Sequence, residues 1–371
     1  MHNIPVFRTV RHLAVALTFV SPWTFAGDVV AQSPSATDPI AHEVAIWRAK
    51  VADATITENL WVSVKPGATA ALDLAEQALK AGRRWTALER LAAARATLSA
   101  ALYVAARPAE TRKGVAAFEA EWTRMAGVLG AGLKTPTSLS FASIQPAAAR
   151  ALSEAAGFQT RVHYDASVVY GRATDADSGL YYLGSAQANQ EFLAFAKTLS
   201  SGKNAPQPAV RSLTQETDAL ESALLALYRP PVSIDRHSEF IAASSALKEA
   251  KELDAAGLRY GALQRYLLAV QRVALLQTSP APESSAIRAR LQAVEPRLAL
   301  GGVDHTIARI FFERAQTELD RAEPAAAGIS LAAVIADNVL PKYFAALEPA
   351  PPASPAAPPR VTVTLVRWPF T

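Results

Sequence analysis

The chain has no cysteine among its 371 residues. That excludes disulfides, cysteine metal sites and a lipoprotein anchor, which needs a cysteine just after its leader. The fold must therefore be held by its core, and a domain of about 300 residues buries enough surface for that. Long apolar runs are also missing: Leu13–Val20 is the only candidate, far short of the roughly 20 residues that span a bilayer. Charge of one sign is scarce. Lys and Arg number 37 against 33 Asp and Glu, a net of +4, and both signs are interleaved as on a solvated helix face. No basic run with interleaved aromatics points to nucleic acid.

Catalytic patterns are lacking too. Beyond residue 31 the histidines are His42, His163, His237 and His305. None pair at helical spacing or fall in a His-Glu-x-x-His pattern. Asp175-Ala-Asp177-Ser-Gly179 starts like a calcium loop but lacks the later ligands and the glycine at position six, so it reads as a turn. There is no Gly-x-Ser-x-Gly and no glycine-rich phosphate loop, and no paired carboxylates stand in a setting suited to glycan cleavage. The expectation is a non-enzymatic protein with no cofactor and no metal.

What is present begins with an address. Arg8, Arg11 and His12 precede the apolar Leu13–Val20, and small residues follow at Ala26 and Ala31. This is the layout of a secretory signal peptide over 1–31, cut after Ala31 or, alternatively, Ala26. The expected location is outside the cytoplasm: periplasmic under two membranes, otherwise secreted. Residues 32–40 form a linker, and no membrane span is expected in the mature chain.

The body reads as helix throughout. Leu72, Ala75 and Leu79 recur at helical spacing, as do Trp85, Leu88, Leu91, Leu98 and Leu102. The pattern predicts helices near 40–60, 68–81, 84–105, 109–129, 146–156, 159–170 and 180–199. In the second half they fall near 209–228, 234–256, 258–277, 283–300, 306–322 and 324–338. Trp61–Gly67, ending in Pro66-Gly67, is the expected break after the first helix.

One pattern occurs twice. Ala81-Gly82-Arg-Arg-Trp-Thr-Ala-Leu-Glu-Arg90 returns as Ala256-Gly257-Leu-Arg-Tyr-Gly-Ala-Leu-Gln-Arg265. Gly82 and Gly257 are the expected left-handed residues of a tight helix–helix turn. The matches at Gly82/Gly257, Arg84/Arg259, Leu88/Leu263 and Arg90/Arg265 are not alanines, so they suggest an internal duplication into halves 41–208 and 209–348. Arg84 with Trp85 and Arg259 with Tyr260 are the candidate binding residues of the body. Arginine clamps carboxylates bidentately, although each arginine could instead stack on its neighbouring aromatic and cap the turn.

Gly82, Ala87, Leu91 and Ala94, and again Gly257, Ala262, Tyr266 and Ala269, fall at the small-residue offsets of a tetratricopeptide repeat. Leu180-Tyr-Tyr-Leu-Gly184 is similar to the opening of such a repeat. The chain resembles that family over about a third of its length. It departs from it in carrying Arg84 and Arg259 at the tyrosine position and in showing no 34-residue period. The resemblance implies antiparallel helical hairpins stacked as a solenoid or bundle, and protein or peptide binding along a concave face. The expected fold class is all-α.

The tail differs. Residues 349–360 are rich in proline and alanine, which favours an extended spacer. Residues 361–371 open with an alternating β-branched segment in which Val361, Val363, Leu365 and Trp368 are further candidate binding residues. A lone strand needs a partner, either a sheet edge of another protein or a groove of its own body. The resulting expectation is an exported helical scaffold or adaptor that binds another envelope or secreted protein. The alternative is an exported binding protein with a small apolar or peptide ligand between the two halves.

Overall fold

The computed structural model describes residues 38–52, 59–107, 114–130, 132–134, 136–173, 176–199, 205–229, 234–277, 283–299, 302–321 and 324–347. The signal peptide, most of the linker, the proline-rich spacer and the strand-like tail lie outside them. The described residues are all-helical, without strands; one antiparallel bridge joins Val210 to Leu347.

The first six helices are α1 (Pro39–Ala52), α2 (Asn59–Lys80), α3 (Arg84–Ala105), α4 (Val115–Leu129), α5 (Ala147–Gly171) and α6 (Ala176–Ala196). The next are α7 (Thr214–Leu227), α8 (His237–Ala255), α9 (Arg259–Leu276), α10 (Ser284–Ala299) and α11 (Thr306–Leu319). The last two are α12 (Ala326–Val334) and α13 (Leu340–Ala345), joined through a wide helical turn over Ile335–Val339.

The second half repeats the element order of the first. α7 matches α1 at both ends with a shift of 175 residues (214 − 39 and 227 − 52). The same shift carries α2 onto a short 3-10 turn, Ile234–Arg236, followed by α8. It also carries the start of α3 onto that of α9. Neighbours repeat as well: α2 packs on α3 as α8 does on α9, and α5 on α6 as α11 does on α12.

The two turns are the same object. Gly82 has φ +72° and Gly257 φ +75°. In the first, Gly82 N–H donates to the Leu79 carbonyl at 3.0 Å and Arg83 N–H to that of Ala78 at 2.7 Å. In the second, Gly257 N–H donates to Asp254 at 3.0 Å and Leu258 N–H to Leu253 at 2.9 Å. That paired pattern ends a helix by satisfying its last carbonyls, and glycine alone holds it free of Cβ strain. Small residues then let the paired helices close: Ala68, Ala75 and Ala78 of α2 and Ala87, Ala94 and Ala101 of α3 are buried in one core.

Three sequence expectations are corrected. Asp177-Ser-Gly179, expected in a turn, lies at the start of helix α6. Trp61–Gly67 is not a break, because Asn59–Lys80 is one helix running through Pro66 and Gly67. Proline removes one hydrogen bond there, but Trp61, Ala68 and Leu72 on either side are buried against the core, and packing outweighs local propensity. The expected helices 146–156 and 159–170 are one helix, α5. Gly157 is a packing residue within it: a Cβ there would lie 2.6 Å from Phe141 Cζ.

Candidate functional site

The repeated arginines each hold the start of a helix. Arg84 reaches Asp38 at 3.4 Å, and Asp38 accepts the Ile40 N–H of α1 at 3.0 Å. Arg259 pairs with Asp254, which caps the start of α7 by accepting from Leu213 N–H at 3.1 Å and from the Ser212 hydroxyl at 2.8 Å. Arg84 also lies over the Trp85 ring, 5.1 Å from its centroid. Tyr260 instead carries Arg150 over its ring at 4.3 Å and donates its hydroxyl to the Pro208 carbonyl at 2.8 Å. Trp85 and Tyr260 are half-buried and pack against the main core. All four body residues singled out in the sequence thus make contacts within the chain. Val361, Val363, Leu365 and Trp368 lie outside the described residues.

The contact between the two halves is made by residues that the sequence reading did not single out. The start of α3 is capped by Glu313 of α11, whose Oε2 accepts the Trp85 and Thr86 N–H groups at 2.9 Å each. The start of α9 is capped by Glu154 of α5, whose Oε2 accepts the Gly261 N–H at 2.8 Å. Each half therefore lends a buried carboxylate to the turn-following helix of the other. Carboxylates at helix N-termini are electrostatically favoured. A third acid completes the contact. Asp304 Oδ2 accepts the Ala147 N–H at the start of α5 at 2.6 Å, and its Oδ1 accepts the Thr306 N–H at the start of α11 at 3.0 Å.

Burial raises the carboxyls of both glutamates, that of Glu313 to about 7 against the opposing pull of the Thr86 and Trp85 amides. One sequence signal could have exposed Glu313: it follows Ile307 and Ile310 at steps of three residues. Its match to Glu154 was hidden because the shift between halves falls from 175 at the turn to 159 here (313 − 154).

α1 and α7 have equal length but different faces. α1 buries Ile40, Val44, Trp47 and Val51; the positions 175 residues later are Gln215, Ala219, Ser222 and Ala226. α7 buries only Thr217 and Leu224. α7 carries no such apolar stripe, and a groove lies on each of its flanks. On one flank an open groove of about 390 Å³ lies over α9, floored by Tyr266, Val270 and Val273. Ala219 and Ala223 form its α7 wall, with Glu216 and Lys342 at the rim. On the other, a second groove of about 390 Å³ runs between α7 and α8, lined by Leu224, Leu225 and Leu247 with Lys248, Lys251 and Glu252 beside them. Leu225 is 67% exposed and Ile241 of α8 54%. Ile241 precedes Ser244 and Lys248 by three and seven residues, so all three share one side of the helix.

Among the described residues no group of three or more His, Asp or Glu side chains is placed to hold a metal ion, and no helix is long and apolar enough to cross a membrane. His163, half-buried beside Asn189, is pushed down to about 4 by desolvation. His305 meets the Tyr343 hydroxyl at 2.9 Å, and His237 meets that of Tyr228 at 3.1 Å. Among the remaining aromatics, Trp61 and Tyr266 are buried, whereas Trp122, Tyr181 and Tyr182 are half-buried.

No protein-family model matches the chain, and no curated protein and no solved structure is significantly similar to it.

Proposed function

We propose that this chain is an exported, non-enzymatic helical scaffold that docks another exported protein on the face formed by α7 and α8. The observation that carries this reading is the under-packed α7. It leaves an apolar groove with Leu225 and Ile241 exposed beside it, and Lys248, Lys251, Glu221 and Glu252 around it. An apolar strip rimmed by charges of both signs suits an amphipathic segment of a partner. The hairpins α2–α3 and α8–α9 are read as tetratricopeptide-like units, and the repeated element order as the outcome of an internal duplication. Residues 1–31 are read as the export signal. A ligand between the halves has less support, because Glu313, Thr86, Glu154 and Gly261 fill the contact there.

The test is in-cell photo-crosslinking from positions 225 and 241, with the exposed Val169 of the first half as control. The scaffold reading predicts one exported protein captured from both α7–α8 positions and not from 169. Capture of nothing, or of the same set from all three positions, removes it. The intact mass of the exported form should lack residues 1–31, or 1–26 with the earlier cleavage.

A further inference from the structure

The groove on the other flank of α7 has a filled counterpart in the first half. There, the space between α1, α3 and α6 is closed by an aromatic ring and an arginine. Trp47 of α1 is buried and donates its indole N–H to Glu43 at 3.0 Å. Arg95 of α3 lies 5.9 Å from the Trp47 centroid and 5.7 Å from that of Phe195 on α6. Its guanidinium faces Glu43 at 3.5 Å and Glu191 at 3.8 Å. The positions 175 residues later hold Ser222 and Val270, so both parts of the plug are missing from the second half. What is left has an apolar floor and a carboxylate with spare capacity. Glu216 Oε1 pairs with Arg211 at 2.6 Å, while its Oε2 is buried and has no hydrogen-bond partner among the described residues. An apolar aromatic side chain next to a cation would complete the site.

The sequence carries that pair just beyond the described chain. Arg367-Trp368 closes the alternating segment Val361-Thr-Val-Thr-Leu-Val. The described residues end at Leu347, five positions after Lys342 on the groove rim. Ala345, close to that end, accepts from the same Arg211 that pairs with Glu216, at 3.0 Å. The groove follows α9 from Tyr266 to Gln277, about 17 Å at 1.5 Å per residue. The spacer of residues 349–360 reaches about 37 Å when extended as polyproline, enough to bring residues 361–368 to any part of it.

We propose that the groove between α7, α9 and α13 is the docking site of the chain's own segment 361–368, with Trp368 in the role that Trp47 plays in the first half and Arg367 facing Glu216. The tail thereby restores to the second half the plug that α7 lost. This site lies on the opposite flank of α7 from the α7–α8 face and stands or falls independently of the scaffold reading.

The experiment uses the full mature chain labelled with 5-fluorotryptophan, the Trp368 resonance being assigned from Trp368→Phe. The expected result is a Trp368 signal shifted from the free-peptide position, with a linewidth like those of Trp47 and Trp61. Ala223→Phe, which fills the groove, should return it to the narrow free position while leaving the Trp47 signal unmoved. Glu216→Gln should release a measurable fraction. A photo-crosslinker at position 219 should form a link to residues 361–371 within one chain, with a yield independent of protein concentration. A narrow, free-position Trp368 signal in the unaltered chain overturns the proposal. So does an ordered signal that Ala223→Phe leaves in place, or a crosslink that joins two chains.

Discussion

At the scale of single residues, two kinds of position carry the fold. The first is glycine at the repeated turn. A Cβ added at Gly82 or Gly257 would meet nothing within 4 Å, so the cost of alanine is purely that of a left-handed backbone. Gly82→Ala and Gly257→Ala should each lose about 1 kcal/mol in denaturant unfolding; an unchanged midpoint at either would show that the turn tolerates a side chain. The second is the buried carboxylate. Glu313 titrates near 7 when folded, above its ordinary value, because burial outweighs the two amides it accepts. The folded protein therefore binds a proton more readily than the unfolded chain. The stability this contributes is complete below about pH 4.5 and is lost as pH rises through about 7. His163, held near 4, acts in the opposite sense, its contribution being lost as pH falls through 4. The contrast to measure is therefore between the wild type and Glu313→Gln. Relative to the variant, the wild type should lose stability between about pH 4.5 and 7, and parallel curves would refute the assignment.

At the scale of elements, packing decides where local preference is ambiguous. α2 continues through an exposed Pro66 because Trp61 and Leu72 on either side of it are buried. Pro66→Ala restores the missing backbone donor and should stabilise the protein by about 1–2 kcal/mol, the interior cost of proline less its advantage in the unfolded chain. A loss of stability would mean that Pro66 sets a bend the core needs. α1 and α7 make the complementary point. Both are fourteen-residue helices, yet one is riveted by Trp47 and Val44 and the other rests on Leu224 with grooves to either side. Trp47→Ala should cost about 3–5 kcal/mol by thermal or denaturant unfolding, whereas Leu225→Ala, on the exposed side, should stay within about 0.5 kcal/mol.

At the scale of the whole molecule, the halves complete each other. Glu313 caps a helix of the first half and Glu154 a helix of the second, while Asp304 serves the starts of α5 and α11 together. A half produced alone would lose its borrowed cap and expose the apolar faces of α3, α5, α9 or α11. Fragments 38–199 and 205–347 should therefore each have low helicity alone and co-purify as a folded pair when expressed together. Two independently folded fragments would contradict the interlocked architecture. Asp304→Ala leaves two helix starts without their acceptor and should cost about 2–3 kcal/mol, in a single unfolding transition if the halves unfold together.

The helical class, most helix positions and both Gly82 and Gly257 were legible in the sequence, because apolar spacing and glycine at a helix end act over a few residues. So were the matching places of Arg84 and Arg259 beside the two turns. The functional consequence of those arginines was not: whether Arg84 meets a ligand or Asp38 depends on which carboxylate the fold brings to it. Local signals also misplaced the breaks at Pro66 and Gly157, since each is outweighed by burial of residues far along the chain. The exchange of Glu154 and Glu313 and the opening beside α7 were decided by tertiary structure alone. Both arise where helices distant in sequence meet, and there a buried charge or a missing Trp47 counterpart acquires meaning only from the surface opposite.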